Sequence, residues 1–211
     1  MIRTVAIIDC AHHGTTMVAG ICEILGVPMV GKNYKSGKWE DTEMVEAQQS
    51  EEKFAEVVAQ RNAEHDIWGF KSPGAWLRAP WMGKYLRNPI YLAIYKDPVS
   101  VALRRHRLTT VDWRGGMTWA VGDTIRQMDK SIQGMRAGGF PVHCLPYQQA
   151  IVDPVGFVRH IADVIGIVVD ENILADTAAY IQPNTLGDRR TYPDIGEYLK
   201  KRNSRLRSEQ D

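Results

Sequence analysis

The sequence has 211 residues, of which 44% are hydrophobic and 24% charged, and its formal net charge is +1. These proportions are ordinary for a globular protein and predict one domain over residues 1–199 with a polar tail at 200–211. The small net charge says little about partners, except that an anion site must consist of a few placed cations rather than a broad basic field. No nucleic-acid partner is expected. No apolar run approaches the roughly 18 to 20 residues that span a bilayer, which predicts no membrane partner.

The cysteine pattern predicts a reduced, cytoplasmic protein. Cys10, Cys22 and Cys144 are an odd number at unrelated spacings, with no CxxC motif and no Cys/His cluster of the metal-binding type. The first apolar run, which begins at Val5, is interrupted at Asp9. This interruption argues against a secretory signal.

Residues 4–25 predict a strand, a polar loop and a helix, in that order. A loop that leads into a helix N-terminus presents unpaired N–H groups and the positive end of the helix dipole, which suit phosphate or sulfate. Gly14 lets the backbone approach an anion, while Thr15 and Thr16 cap the helix or donate hydroxyls. The alternative is an ordinary capped turn. The Walker pattern is absent, because no Lys follows Gly14.

The remaining elements alternate between strands and helices. Apolar runs predict strands at 27–30, 67–71, 90–95 and 141–145. Helical spacing predicts helices at 42–64 with Thr42 as cap, after Pro98, at 117–136, at 154–165 and at 171–180. The predicted apolar stripes are Met44, Val45, Phe54, Val57 and Val58 in the helix at 42–64, and Val121, Ile125, Met128, Ile132 and Met135 in the helix at 117–136. This alternation predicts a three-layer α/β/α sandwich with a mostly parallel central sheet of about five strands.

Four polar segments follow predicted strands, at 9–16, 31–41, 71–74 and 96–104. Because ligands bind outside the carboxyl ends of parallel strands, we expect these segments to meet at one edge of the sheet. The segment 31–41 is rich in lysine and contains glycine, which predicts a mobile loop there.

In their order along the chain, these segments resemble the motifs of the sulfotransferase family, which transfers sulfuryl groups from 3'-phosphoadenosine 5'-phosphosulfate (PAPS). The run His12-His13-Gly14-Thr15-Thr16 is similar to the family's [RK]SGTT loop. The strand IYLAIY followed by Lys96-Asp97-Pro98 is similar to the strand that enters the family's RDP, and Arg104 stands where the family has a serine. GFKSP at 69–73 matches a [WF]K[DST]P element of bacterial members, and PVHCLPYQQ, with Tyr147, is similar to a strand that ends in YED.

The resemblance implies a P-loop nucleotide-hydrolase-type fold, PAPS as cosubstrate, 3'-phosphoadenosine 5'-phosphate (PAP) as product, and no metal. It places the 5'-phosphosulfate at the first loop and the 3'-phosphate after the IYLAIY strand, with a late basic segment as a further contact. The residues that it implies for nucleotide binding are His12, His13, Gly14, Thr15, Thr16, Lys96, Arg104, Tyr147, Arg189 and Arg190.

The chain departs from the family at the charged positions. His12 replaces an Arg or Lys and His13 replaces a Ser, so sulfate binding becomes pH dependent unless Lys71 supplies the missing charge. Lys96 in place of Arg loses the bidentate fork, which Arg104 restores from the helix side.

Sulfuryl transfer requires an acceptor in line with the leaving phosphate and a positive group near the bridging oxygen. Lys71 or a protonated His12 is the predicted group for that oxygen. The family's histidine base in a K[ST]H element is replaced by Pro73. Other branches of the family use a glutamate after the second strand, so the resemblance implies Glu40 as the general base, with His13 as second choice.

Each of these residues also has a simpler interpretation. Glu40 beside a helix start serves the helix dipole, Lys71 is a surface lysine, and Arg104 lies on a solvated helix face. His12 and His13 form a metal site only if a third ligand exists, and the sequence shows none.

Two other functions stay open at this point. One is a small nucleotide or metabolite kinase on the same architecture, and the other is a degenerate sulfotransferase that binds PAPS or PAP without catalysis. The acceptor is expected to be a small molecule or carbohydrate, because Trp39, Trp76, Trp81 and Trp113 lie in segments that can line an acceptor pocket.

Overall fold

The computed structural model describes residues 3–10, 12–29, 41–108, 116–139 and 141–181. Its strands are β1 (Arg3–Ile7), β2 (Ile67–Lys71), β3 (Pro89–Tyr95) and β4 (Val142–Pro146). Its helices are α1 (Thr15–Ile24), α2 (Thr42–Ala47), α3 (Glu51–Glu64), α4 (Ala79–Met82), α5 (Pro98–Leu108), α6 (Gly116–Ala137), α7 (Tyr147–Val152), α8 (Pro154–Ile165) and α9 (Glu171–Ala179). A 3-10 turn, Ala75–Arg78, lies between β2 and α4.

The strands are parallel and lie in the order β2-β1-β3-β4. The predicted α/β class is confirmed, with four strands in the described part of the chain instead of about five. Of the strand predicted at 27–30, the described residues 27–29 form a single bridge, between Met29 and Gly69, because Pro28 has no N–H to extend the ladder toward the N-terminus. The chain crosses from β2 to the far side of β1, so the strand order reverses beside β1, where such sheets bind ligands.

Helices cover both faces of this sheet. Val5 and Ile7 pack into a core with α1, α7, α8 and α9, whereas Ala6 and Ile8 point to the opposite face, into a core with α2, α3, α4 and α6. The middle of β3 is fully buried, as expected for a central parallel strand that is covered on both sides. The predicted three-layer sandwich is therefore confirmed.

The helix predicted at 42–64 is two helices, α2 and α3. The chain breaks at Ser50, whose hydroxyl accepts the backbone N–H three residues on and begins α3. The cap of α2 is Asp41 and not Thr42, because the Asp41 carboxylate accepts the Met44 N–H at 3.0 Å.

The apolar stripe predicted for α6 is confirmed at Met135, which is buried, and wrong at Ile125 and Ile132. Ile125 and Ile132 are 51% and 42% exposed, and Val45 on α2 is also exposed. The buried positions of α6 are Ala120, Thr124, Ser131 and Met135. Small residues face inward because α6 lies close to its neighbours: a Cβ at Gly134 would lie 3.0 Å from the Trp76 carbonyl oxygen.

Most of the loop predicted at 31–41, the domain end predicted at 199 and the tail predicted at 200–211 lie outside the described residues. Across the ranges given above, no helix combines the length and apolarity that a membrane crossing needs.

Candidate functional site

The candidate site lies at the carboxyl end of the sheet, beside β1. We call residues 9–16, which join β1 to α1, the anion loop. Two backbone hydrogen bonds join this part of the chain to the turn after β2: the Ser72 N–H donates to the Ile7 carbonyl at 3.1 Å, and the Gly74 N–H donates to the Asp9 carbonyl at 3.0 Å. The anion loop and the turn that follows Lys71 therefore form one unit.

The anion loop enters α1 at Gly14, whose φ of 117° lies in the left-handed region. No side chain caps this helix end, and the first turn of α1 contains no acidic residue. The N–H groups of that turn therefore meet an anion without competition from a carboxylate. His12 also has a positive φ, 73°, a conformation that costs a non-glycine residue about 1–3 kcal/mol and that clusters at functional sites.

Tyr147, the first residue of α7, packs against the anion loop. A Cβ at Gly14 would lie 2.8 Å from Tyr147 Cδ2, so a larger residue would displace the ring. On the other side, Lys96 Nζ lies 4.4 Å from the centroid of the same ring, which is a cation–π contact. The structure therefore brings these three predicted residues together, with the tyrosine between the loop and the lysine.

Lys71, the last residue of β2, reaches the start of α1. Its Nζ donates to Thr16 Oγ1 at 3.2 Å, and its side chain is 2% exposed. A buried ammonium group at this position offers an anion in the loop a charged donor beside the helix N-terminus. The structure thus places Lys71 beside the start of α1, and its role as a substitute for the missing Arg or Lys stays a prediction.

Lys96 and Arg104 form a second cationic group. Burial lowers the pKa of Lys96, the charge of Arg104 lowers it further, and Asp97 opposes both effects. Asp97 also accepts the Ser100 N–H at 2.8 Å at the start of α5. Two cations that disfavour each other's charge are stabilised by a bound anion.

His13 is buried and faces Asp9. His13 Nδ1 lies 3.2 Å from Asp9 Oδ2, and the two side chains are 1% and 0% exposed. The other carboxylate oxygen of Asp9 accepts the Cys10 N–H at 2.6 Å. Burial raises the pKa of the Asp9 carboxyl, and the hydrogen bond with His13 opposes this effect. Sequence reasoning missed Asp9, although an acidic residue directly after a buried strand was a visible signal.

An ion cluster surrounds Asp41, the first described residue after the gap at 30–40. Arg61 NH1 lies 3.0 Å from Asp41 Oδ2, and Arg61 NH2 lies 3.0 Å from Glu43 Oε2. The guanidinium also lies 5.6 Å from the centroid of the Trp68 ring. These contacts fix the position of the chain directly after Glu40.

Several predicted residues lie outside the described residues: Glu40, Arg189, Arg190, Trp39 and Trp113. In the part of the chain that the structure describes, no group of three or more His, Cys, Asp and Glu residues stands close enough to hold a metal ion.

The other two predicted acceptor-pocket residues, Trp76 and Trp81, pack against the core that the sheet forms with α2, α3, α4 and α6. The Trp81 ring meets Phe54 edge-on, with 5.2 Å between the ring centroids. Their role in binding an acceptor stays a prediction.

No protein-family model and no curated protein sequence match the chain. Solved structures do match it. The sulfotransferase domain from the curacin biosynthetic pathway aligns with a TM-score of 0.56 and 12% identity, over 91% of this chain and 82% of that one. The sulfotransferase domain from the Synechococcus PCC 7002 olefin synthase aligns with a TM-score of 0.52 and 14% identity, over 93% of this chain and 94% of that one. The protein has the sulfotransferase fold.

A third structure with this likeness is retinol dehydratase in complex with androsterone and inactive cofactor PAP, with a TM-score of 0.51 and 10% identity, over 94% of this chain and 80% of that one. These comparisons confirm the sulfotransferase fold that the order of the motifs implied. Identities this low show a shared fold, so the chemistry of the present protein must be argued from its own residues.

Proposed function

We propose that the protein is a sulfotransferase that moves a sulfuryl group from PAPS to a hydroxyl or amine of a small-molecule or carbohydrate acceptor. The observation that supports this proposal is the division of charge in the site: Lys71 lies at the anion loop, and Lys96 with Arg104 forms a second cationic group beyond Tyr147. The charge of PAPS is divided in the same way, between a 5'-phosphosulfate and a separate 3'-phosphate.

The residues of the anion loop fit the 5' end of the donor. Backbone N–H groups of the first turn of α1 bind its oxygens, and the Thr16 hydroxyl and Lys71 ammonium, already bonded to each other, supply polar and charged donors. Lys96 and Arg104 hold the 3'-phosphate, and Tyr147 keeps the two anion sites apart.

Bound PAPS supplies the activated sulfuryl group: the acceptor oxygen or nitrogen bonds to sulfur while the sulfur–oxygen bond to the leaving phosphate breaks in line. Lys71 stabilises the negative charge that develops on the bridging oxygen. A general base takes the acceptor's proton. Glu40 is the first candidate, because His13 Nδ1 is already engaged with Asp9. These roles require no metal.

A protein that binds PAPS or PAP without transfer is the second candidate. The burial of His13 favours this alternative, because it withdraws one of the two candidate bases from the acceptor side. A small nucleotide or metabolite kinase is a weaker candidate, since Thr15 stands where ATP chemistry requires a lysine.

We expect PAP to stabilise the protein against thermal unfolding. At 100 times its Kd, PAP should add about 2.7 kcal/mol, which corresponds to a rise in Tm of about 5–10 °C for a chain of this size. A thermal shift series with PAP, with ATP plus Mg²⁺ and with buffer alone measures it. No shift with millimolar PAP would overturn both the enzyme and the binding-protein proposals, and a shift with ATP plus Mg²⁺ alone would favour the kinase.

Variants of two lysines locate the binding. Lys96→Ala should weaken PAP binding about 10-fold or more, because a charge-assisted contact to phosphate is lost. Lys84→Ala, at an exposed lysine, is the matched control and should bind PAP as the unmodified protein does. Transfer of labelled sulfur from PAPS to a panel of hydroxyl and amine acceptors then separates a catalyst from a binder.

A further inference from the structure

We infer that Asp9 and His13 form a proton-binding pair that holds the shape of the anion loop and, through its net charge, sets how tightly the loop binds an anion. This inference rests on the proposed function in one respect, that the loop binds an anion. It assigns a positioning role to Asp9, which no sequence motif indicated.

Asp9 joins three parts of the site. One carboxylate oxygen accepts the Cys10 N–H at 2.6 Å, and the other lies 3.2 Å from His13 Nδ1. Its backbone carbonyl accepts the Gly74 N–H in the turn that follows Lys71. Asp9 therefore contacts Cys10, His13 and the turn that follows the buried Lys71.

The pair is retained at a cost in stability. Asp9 is 0% exposed, and burial raises its pKa above the value in an unfolded chain. When folding raises the pKa of a carboxyl, its protonated form stabilises the fold at pH values below the pKa in the unfolded chain. This contribution is lost as the pH rises through the pKa in the folded protein. At neutral pH the buried Asp9 carboxylate therefore lowers the free energy of unfolding. Such a cost is expected of a group that serves function rather than stability.

The thiols and the tyrosine near the pair stay neutral around pH 7. Cys10 on the same loop has its pKa raised to about 11 by burial and by the charge of Asp9. Burial also raises the pKa of Tyr95 on β3 and of Cys144 on β4. Arg105 on α5 is a fixed charge near Cys10 and is paired with Asp123 of α6 at 3.1 Å.

Proton binding by the pair changes the net charge beneath the anion loop. With one shared proton in addition to the ring N–H, Asp9 and His13 are together neutral, and without it they carry −1, whichever residue holds the proton. The charged state repels an anion in the loop. Anion affinity should therefore fall as the pH rises through the apparent pKa of the pair, and a bound anion should raise that pKa by linkage.

The test uses inorganic sulfate as probe, with chloride at equal ionic strength as control, because sulfate is small enough to bind in the anion loop without contacting Lys96 and Arg104. In the unmodified protein we expect sulfate affinity to fall about 5- to 10-fold across the titration of the pair. Asp9→Asn keeps the acceptor for the Cys10 N–H and should move this step to lower pH by about 1–3 units. Asp9→Asn combined with His13→Asn should remove the step.

Two further measurements exclude a merely structural role. Asp9→Ala removes the acceptor for the Cys10 N–H and should therefore weaken sulfate binding at every pH. If Asp9→Ala does not fold, the test uses the two Asn variants alone. Sulfate binding at the pH of the step should take up protons from solution, and the double variant should lose this uptake. A pH step that Asp9→Asn leaves in place, or sulfate binding without proton uptake at that step, would overturn the inference.

The sulfate test and the PAP-binding test can fail independently of each other. Sulfate binding with the predicted pH step but without PAP binding would support the pair and overturn the sulfotransferase proposal. PAP binding without any effect of Asp9→Asn on the pH step would do the reverse.

Discussion

Replacing Lys71 with alanine should lower the rate of sulfuryl transfer by about 10²- to 10³-fold, the usual loss when one preorganised donor is removed from a transition state. The Lys71 ammonium is 2% exposed and is held by Thr16, so it is already desolvated and oriented before the reaction. The charge on the leaving oxygen develops only during transfer. We therefore expect kcat to fall more than KM rises, measured as initial rates with labelled PAPS and an acceptor from the panel.

Two companion variants separate charge from packing. Lys71→Met keeps the apolar stem without the charge, so it should be as slow as Lys71→Ala while it unfolds at a higher temperature. Lys84→Ala, at an exposed lysine, should transfer at the unmodified rate. If Lys71→Ala kept the unmodified kcat, Lys71 would have no role in the transition state.

Replacing Arg61 with alanine should destabilise the protein by about 3–5 kcal/mol, because it leaves a buried carboxylate without its counter-charge. Arg61 is 3% exposed and Asp41 1% exposed, and Glu43 and the Trp68 ring lose their contacts with the guanidinium as well. Urea denaturation, monitored by the change in tryptophan fluorescence as these side chains become exposed, measures the change in the free energy of unfolding.

The cost of Arg61→Ala should depend on pH. Burial already raises the pKa of Asp41, and loss of Arg61 raises it further. The electrostatic penalty is absent where Asp41 is protonated in both folded proteins. It appears as the pH rises through the folded pKa of Asp41 in the unmodified protein toward the higher pKa in the variant, so it is larger at neutral pH than in acid. Lys53→Ala, at an exposed position of the same helix, should change stability by less than about 0.5 kcal/mol at any pH. Equal stabilities of the two variants would show that the ion cluster contributes nothing.

Local patterns in the sequence identified those elements whose signal is local. A short apolar run located β1, apolar residues at helical spacing located α1, and the Pro and Gly boundaries located α8 at Pro154–Ile165. The same kind of reasoning failed for α6, where periodicity selected Ile125 and Ile132 as core. The buried face of that helix was decided by how closely it approaches Trp76, which no local pattern contains.

The candidate site, too, was predicted from the sequence only in part. The sequence placed Gly14, Lys71, Lys96 and Tyr147 at strand ends, and a parallel sheet brings such ends to one edge. It offered His13 as a possible base, because an imidazole has the appropriate chemistry. The structure turns that ring toward a buried carboxylate that sequence reasoning had not selected.

By itself, the sequence determined the strand, loop and helix of residues 4–25 and the cations that follow later strands, because propensity, glycine and apolar spacing act over a few residues. Only the tertiary structure decided which groups meet: Lys71 with Thr16, 55 residues apart, the ring of Tyr147 against Gly14, and Asp9 with His13. Contacts between distant segments depend on how sheet and helices pack and on which polar groups that packing buries, and these are properties of the whole chain.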